Sequence, residues 1–200
     1  MAGNPIPNNP TIKCSYGIHP WQIKSENLNI LIQKLKQEAS NPQIIAIGEA
    51  GLDKLIKTPI EEQKALFELQ IEIAIKYDKP LIIHCVKAYS ELLAMRKKHP
   101  KGLWIIHGFD GKRELAKQLT DKDIKLTVGA ALMKSNHKIS QTIAAIPLEH
   151  LFLETDEQTE FSIEEIYQQV AKILKMDIEE LKRHWRELAI KIEKEEKKGN

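Results

Sequence analysis

Apolar residues along this chain fall into two alternating patterns. Short unbroken runs rich in Ile and Leu recur: Ile44-Ile45-Ala46-Ile47, Leu81-Ile82-Ile83, Leu103-Trp104-Ile105-Ile106 and Leu151-Phe152-Leu153. Runs of this length suit strands buried on both faces of a parallel sheet. Between them, apolar positions three and four apart mark amphipathic helices, as with Leu28, Leu31, Ile32 and Leu35. The pattern predicts six strands, near residues 12–18, 44–48, 81–83, 103–106, 124–129 and 151–155, each followed by a helix. Thr58-Pro59-Ile60-Glu61 reads as a capping box with proline at the first helical position. Ser162 with Glu165 and Asp177 with Glu180 open the last two helices, and Leu181, Trp185, Leu188 and Ile192 form one face of the final one. A weaker helix is expected over residues 136–146.

Strand and helix in strict alternation is the signature of an α/β protein of parallel βα units. The expected architecture is a TIM-type β/α barrel, incomplete at the N-terminus with six strands visible, in a single domain over residues 1–200. A full eight-stranded barrel takes about 250 residues, and the shortfall lies at the start. Residues 4–10 are all proline and asparagine except Ile6, so residues 1–10 read as an irregular segment and not as a central strand.

Each strand run delivers a metal-capable side chain at its end: Glu49, His84, His107 and Asp156. In a β/α-barrel the C-terminal strand ends meet at one mouth. A carboxylate there can bridge two cations, and imidazoles are common ligands of zinc and similar metals. Each residue also has a plainer role: a capping or salt-bridged glutamate, hydrogen-bonded core histidines, an N-cap aspartate. Glu154 shares a strand face with Asp156 but lies deeper, where a hydrogen-bonding role fits. His19, in Gly-Ile-His-Pro-Trp, and Lys87, three residues past His84, are candidates for contact with an anionic substrate. Asp53, Phe109 and Lys112 read as structural, and His99, His137, His150 and His184 as surface or packing residues.

Composition narrows the function class. The chain has 200 residues, 42% hydrophobic and 29% charged, which is ordinary for a globular domain. A net charge of +2 does not by itself argue for nucleic acid. Two cysteines without CxxC spacing, no signal-like opening and no run of membrane-spanning length lead to the expectation of a cytoplasmic protein without a membrane partner. Walker A, GxGxxG and GxSxG motifs are absent, which leaves metal-assisted hydrolysis.

Five ordered motifs carry a resemblance: Gly17-Ile18-His19-Pro20, Ile47-Gly48-Glu49-Ala50-Gly51-Leu52-Asp53, Pro80-Leu81-Ile82-Ile83-His84-Cys85, Ile106-His107-Gly108-Phe109-Asp110-Gly111 and Leu153-Glu154-Thr155-Asp156. In this order they resemble the TatD family of metal-dependent deoxyribonucleases, TIM barrels of the amidohydrolase superfamily. The resemblance implies hydrolysis of phosphodiester bonds in DNA, often from the 3′ end, with two divalent cations (zinc, magnesium or manganese). It implies that Glu49 bridges both metals, that His84 and His107 hold one, and that Asp156 holds the other and orients the attacking water.

One departure stands out. The family opens with His-x-His on its first strand, and this sequence has none. By the implied roles, one metal keeps Glu49, His84 and His107 while the other keeps only Glu49 and Asp156. Catalytic zinc usually has three protein ligands, so the second site is expected to be weak or empty. A truncated start is the leading account. A catalytically degenerate barrel acting as a binding protein is the alternative, and a homo-oligomer covering the open barrel edge is a further expectation.

Overall fold

The structure, a computed structural model, describes residues 5–133, 137–158 and 160–196. Asn136, the expected start of the weaker helix, and the side chains of Leu188 and Ile192 lie outside the described residues. The fold is α/β, with six parallel strands alternating with helices. The chain divides into two compact units, Met1–Ile105 and Ile106–Asn200.

In the first unit, β1 (Cys14–Tyr16), β2 (Ile44–Asp53), β3 (Leu81–Val86) and the start of β4 (Trp104–Ile106) follow chain order. Helices α1 (Leu28–Glu38), α2 (Ile60–Lys76) and α3 (Tyr89–Lys98) connect them. β1 is much shorter than residues 12–18, because the residues on either side do not pair with β2. β2 differs in the other direction. The apolar run stops at Glu49, yet the strand continues to Asp53, with Ala50, Gly51, Leu52 and Asp53 paired to Ile83, His84, Cys85 and Val86. The register shifts between Ile47 and Ala50, so Glu49 sits on a bulge within a strand and not at its end. Gly48 and Gly51 both lie within this strand. They let two backbones approach: at Gly51, with φ near 145°, an added Cβ would lie 2.0 Å from the His84 carbonyl oxygen.

The core of this unit is Ile47, Leu52, Phe67, Ile71, Leu81, Ile83 and Trp104, all essentially inaccessible to solvent. Phe67 meets Trp104 edge to face at 5.7 Å, and the buried Arg96 guanidinium lies 5.2 Å from the same indole. Arg96 also donates to the carbonyls of Lys101 and Gly102 at 3.0 Å each, which fixes the turn into β4. The expected capping box at Thr58 does not form. Pro59 occupies the N-cap, and buried Thr58 instead offers its carbonyl to Gln63.

In the second unit, α4 (Arg113–Thr120) leads to β5 (Ile124–Val128), and α5 (His137–Ile143) to β6 (Leu151–Leu153). α6 (Ile163–Leu174) and α7 (Ile178–Glu196) close the chain. β5 and β6 pair in parallel, Leu126 with Leu151 and Val128 with Leu153. The capping box at α6 forms as expected, Ser162 accepting from the Glu165 amide and Glu165 accepting from Ser162. Asp177 accepts from the amides of Glu179 and Glu180 at the start of α7. The Trp185 indole donates to the Leu151 carbonyl at 2.5 Å, tying α7 to β6.

Candidate metal centre

Two buried glutamines, seven residues apart on α2 and so on one face of it, build the first half of the site. Gln70 closes on Ile18: its carbonyl accepts from the Ile18 amide at 2.7 Å and its amide donates to the Ile18 carbonyl at 2.9 Å. Gln63 does the same for Asp53, at 2.7 and 2.9 Å, while also donating to Thr58. The ends of β1 and β2 lack further ladder partners at these points, and the side-chain amides stand in for them. This fixes the residue after Ile18, which is His19, and the carboxylate of Asp53.

In the first unit, His19, Glu49 and His84 each offer a ligand atom within 4.8 Å of the others. The His19 and His84 rings meet edge to face at 4.4 Å. His19 is buried and caps the short 3-10 turn Pro20–Gln22, its Nδ1 accepting from the Trp21 amide at 3.3 Å. A neutral imidazole that accepts at Nδ1 carries its proton on Nε2. That nitrogen lies 3.9 Å from a Glu49 oxygen. In that tautomer His19 presents a donor toward carboxylate or substrate.

His84 is oriented by Asp53, whose Oδ2 lies 3.4 Å from Nε2. An imidazole that gives its Nε2 proton to a carboxylate keeps Nδ1 as a basic electron pair, the arrangement found in carboxylate–histidine–metal triads. Burial raises the Asp53 carboxyl's affinity for a proton. Hydrogen bonds from the Trp21 indole at 2.8 Å, the Leu55 amide at 2.8 Å and His84 outweigh it and hold the group below the ordinary carboxylate range. Asp53 therefore stays charged at neutral pH. Cys85, next to His84, is the opposite case: burial pushes its thiol up to about 12. The cysteine is a packing residue, as expected.

In the second unit, His107 follows β4 directly, and Asp156 sits in a left-handed conformation three residues past β6. Each offers a ligand atom within 4.8 Å of the other. Glu154 behaves as a hydrogen-bonding group, its Oε1 accepting from the Gly108 amide at 2.5 Å and so holding the turn after His107. The cavity beside it, about 220 Å³, is lined by Gly108, Gly129, Glu154 and Asp156 among others. Imidazole and carboxylate are the nitrogen and oxygen donors that divalent zinc-type cations take, so the residues present suit such an ion.

Residues 6–194 match the family model described as TatD related DNase. The chain belongs to the TatD family. Among TatD relatives, an uncharacterized metal-dependent hydrolase of Escherichia coli, YjjV, is 30% identical over 155 residues, covering 74% of this chain and 59% of that protein. The human 3'-5' RNA nuclease TATDN2 is 32% identical over 153 residues, 71% of this chain and 19% of that one. The 3'-5' ssDNA/RNA exonuclease TatD of Citrobacter koseri is 29% identical, over 70% of this chain and 55% of that one. This chain thus spans less than two thirds of the length of these relatives. The crystal structure of YjjV superposes with a TM-score of 0.82 at 23% identity, covering 92% of this chain and 78% of that one. The α/β fold of six parallel strands and alternating helices therefore matches that of the YjjV structure.

Of the substrate-contact candidates, His19 lies in the ligand cluster. Lys87 is exposed one residue beyond β3, in a left-handed conformation. Sequence reasoning passed over Asp53 as structural and gave Gln63 no role. The signal available was their type: a carboxylate right after Gly-Leu, and glutamines on the apolar face of a helix, where an amide without a task is costly.

Proposed function

We propose that this chain is a metal-dependent phosphodiesterase, a deoxyribonuclease of TatD type. The observation that carries the proposal is the clustering of His19, Glu49 and His84, with His84 backed by an ionised Asp53. Glu49, His84, His107 and Asp156 would hold divalent metal, with Glu49 shared if two ions load. A bound divalent cation lowers the pKa of water and neutralises charge on a phosphoryl group. Glu49 and Asp156 are the carboxylates available to take the proton of an attacking water. The His19 Nε2–H is a donor for a non-bridging phosphate oxygen, and the Lys87 ammonium is a point charge for a neighbouring phosphate.

The proposal treats residues 1–200 as one working domain in the cytoplasm. Among the described residues β1 pairs with β2 alone, and a second copy of the chain covering its open edge belongs to the same reading. No described helix is long and apolar enough to cross a membrane. The sequence contains no His-x-His. A second reading is a catalytically degenerate barrel that acts as a binding protein.

The test is hydrolysis of 3′-labelled single-stranded DNA by metal-loaded protein, with metal content measured in parallel. Glu49→Ala and His107→Ala are each expected to lower the rate on the order of 10–100-fold or more, as for loss of a metal ligand or its support. Turnover that survives both substitutions would sink the hydrolase reading. Bound metal without turnover would establish the binding-protein alternative.

A further inference from the structure

Trp21 is 64% exposed, whereas the other two tryptophans, Trp104 and Trp185, are 1% and 6% exposed. Exposure of so large an apolar ring is costly unless something covers it. This one is also held still. Its indole Nε1 donates at 2.8 Å to Asp53, a carboxylate that is itself 3% exposed and that Gln63 fixes through the backbone. Its ring stands edge to face with His19 at 4.7 Å and with His84 at 6.0 Å. The other Asp53 oxygen accepts from the amide of Leu55, whose side chain is 65% exposed. A rigid, solvent-facing indole and an exposed leucine therefore hang from the same buried carboxylate, beside the residues proposed to handle phosphate.

We propose that Trp21 is a stacking platform for the nucleobase adjoining the phosphodiester that is cleaved, with Leu55 as its apolar border. The proposal rests on the phosphodiesterase reading. Its logic is general: every base has a π-face, so a fixed aromatic ring grips a strand with little regard to sequence. The ring can be covered only by a base free of its own partner, so the platform selects unpaired strand. Pinning the indole through Nε1 in the free protein removes the ordering cost of stacking before the substrate arrives.

The test uses the full chain with its divalent metal and a single-stranded oligodeoxyadenylate with phosphorothioate linkages, which slow hydrolysis. Because the other two indoles are buried, quenching of tryptophan fluorescence on binding is expected to come from Trp21 and to vanish in Trp21→Phe. Trp21→Ala is expected to weaken binding by about 5-fold to about 140-fold, the equivalent of one base–aromatic stack. Trp21→Phe keeps a ring but loses the bond to Asp53, and is expected to bind more tightly than Trp21→Ala and no more tightly than the parent. An analogue with one abasic position at the scissile end should bind the parent as weakly as the intact strand binds Trp21→Ala, and lose nothing further in that variant. The proposal is overturned if Trp21→Ala binds like the parent, if Trp21→Phe is as weak as Trp21→Ala, or if the abasic analogue loses as much again in Trp21→Ala. Absent hydrolysis of the ordinary phosphodiester with the stacking signature intact would refute the hydrolase reading and leave the platform standing. Hydrolysis and binding indifferent to Trp21→Ala would do the reverse.

Discussion

Asp53 carries more of the site than its place in the sequence suggests. One buried carboxylate accepts from Trp21, Leu55 and His84, and it remains ionised because those hydrogen bonds outweigh the cost of burial. Replacing it with Asn keeps the size but removes the charge that favours a proton on His84 Nε2. Asp53→Asn is therefore expected to weaken metal binding on the order of 10–100-fold, as for other partners behind metal-binding histidines, with titration of zinc into stripped protein as the measure. Unchanged metal affinity would show that His84 does not depend on Asp53. Two further residue-scale outcomes follow from packing. With its thiol pushed up to about 12, Cys85 should resist alkylation in native protein at neutral pH and react once the chain is unfolded, as read by mass spectrometry. Gly51→Ala forces a Cβ to 2.0 Å from the His84 carbonyl, in a region of φ that suits glycine. The expected loss is about 3 kcal/mol or more in urea unfolding.

At the scale of elements, the reason α2 matters is that it carries both glutamine clamps on its buried face. Its apolar residues Leu66, Phe67, Ile71 and Ala74 pack the core, and Gln63 and Gln70 reach strand ends that have no other amide or carbonyl to pair with. Gln70→Met is close to it in volume but leaves the Ile18 amide and carbonyl buried without that partner. At about 1–3 kcal/mol for each unmade buried bond, the variant should lose roughly 2–6 kcal/mol of stability, measured by urea denaturation of metal-free protein. The exposed Ser162→Ala, which removes only a cap, should lose about 1 kcal/mol in the same assay. These elements also mark how much was legible in the sequence. Apolar runs and helical spacing located all six strands and the connecting helices, because burial on both faces leaves a clear periodicity. The bulge at Glu49 left no such mark: the apolar run ends there, and only pairing with β3 makes Ala50, Gly51 and Leu52 its continuation. The Thr58 cap does not form because Pro59 takes the N-cap position, while the Thr58 carbonyl accepts from Gln63 five residues on. Glu49, His84, His107 and Asp156 stand out as candidates because each follows an apolar run in the sequence, whereas Asp53 and Trp21 become visible only once a hydrogen bond joins them across the loops.

For the whole molecule, charge sets the character of any interaction with a strand. The chain carries 30 Lys and Arg against 28 Asp and Glu, and many of these pair locally, as Lys54 does with Glu91 and Lys117 with Asp121. A surface so balanced neutralises few phosphates. Each phosphate neutralised on a single strand contributes a slope of about −0.7 to log K against log salt concentration. With Lys87 and one or two other cations engaged, the expected slope for single-stranded DNA is about −1 to −2, far from that of a protein gripping the backbone along its length. Base stacking is nearly independent of salt by comparison, so binding should level off at a plateau that survives in high salt and disappears with Trp21→Ala. The measurement is the fluorescence anisotropy of a dye-labelled strand titrated with the parent and with Trp21→Ala over a series of salt concentrations. A slope steeper than about −4 would mean that an extended cationic track, and not the indole beside His19, supplies the affinity. A parent with no high-salt plateau would mean that stacking contributes little to binding at all.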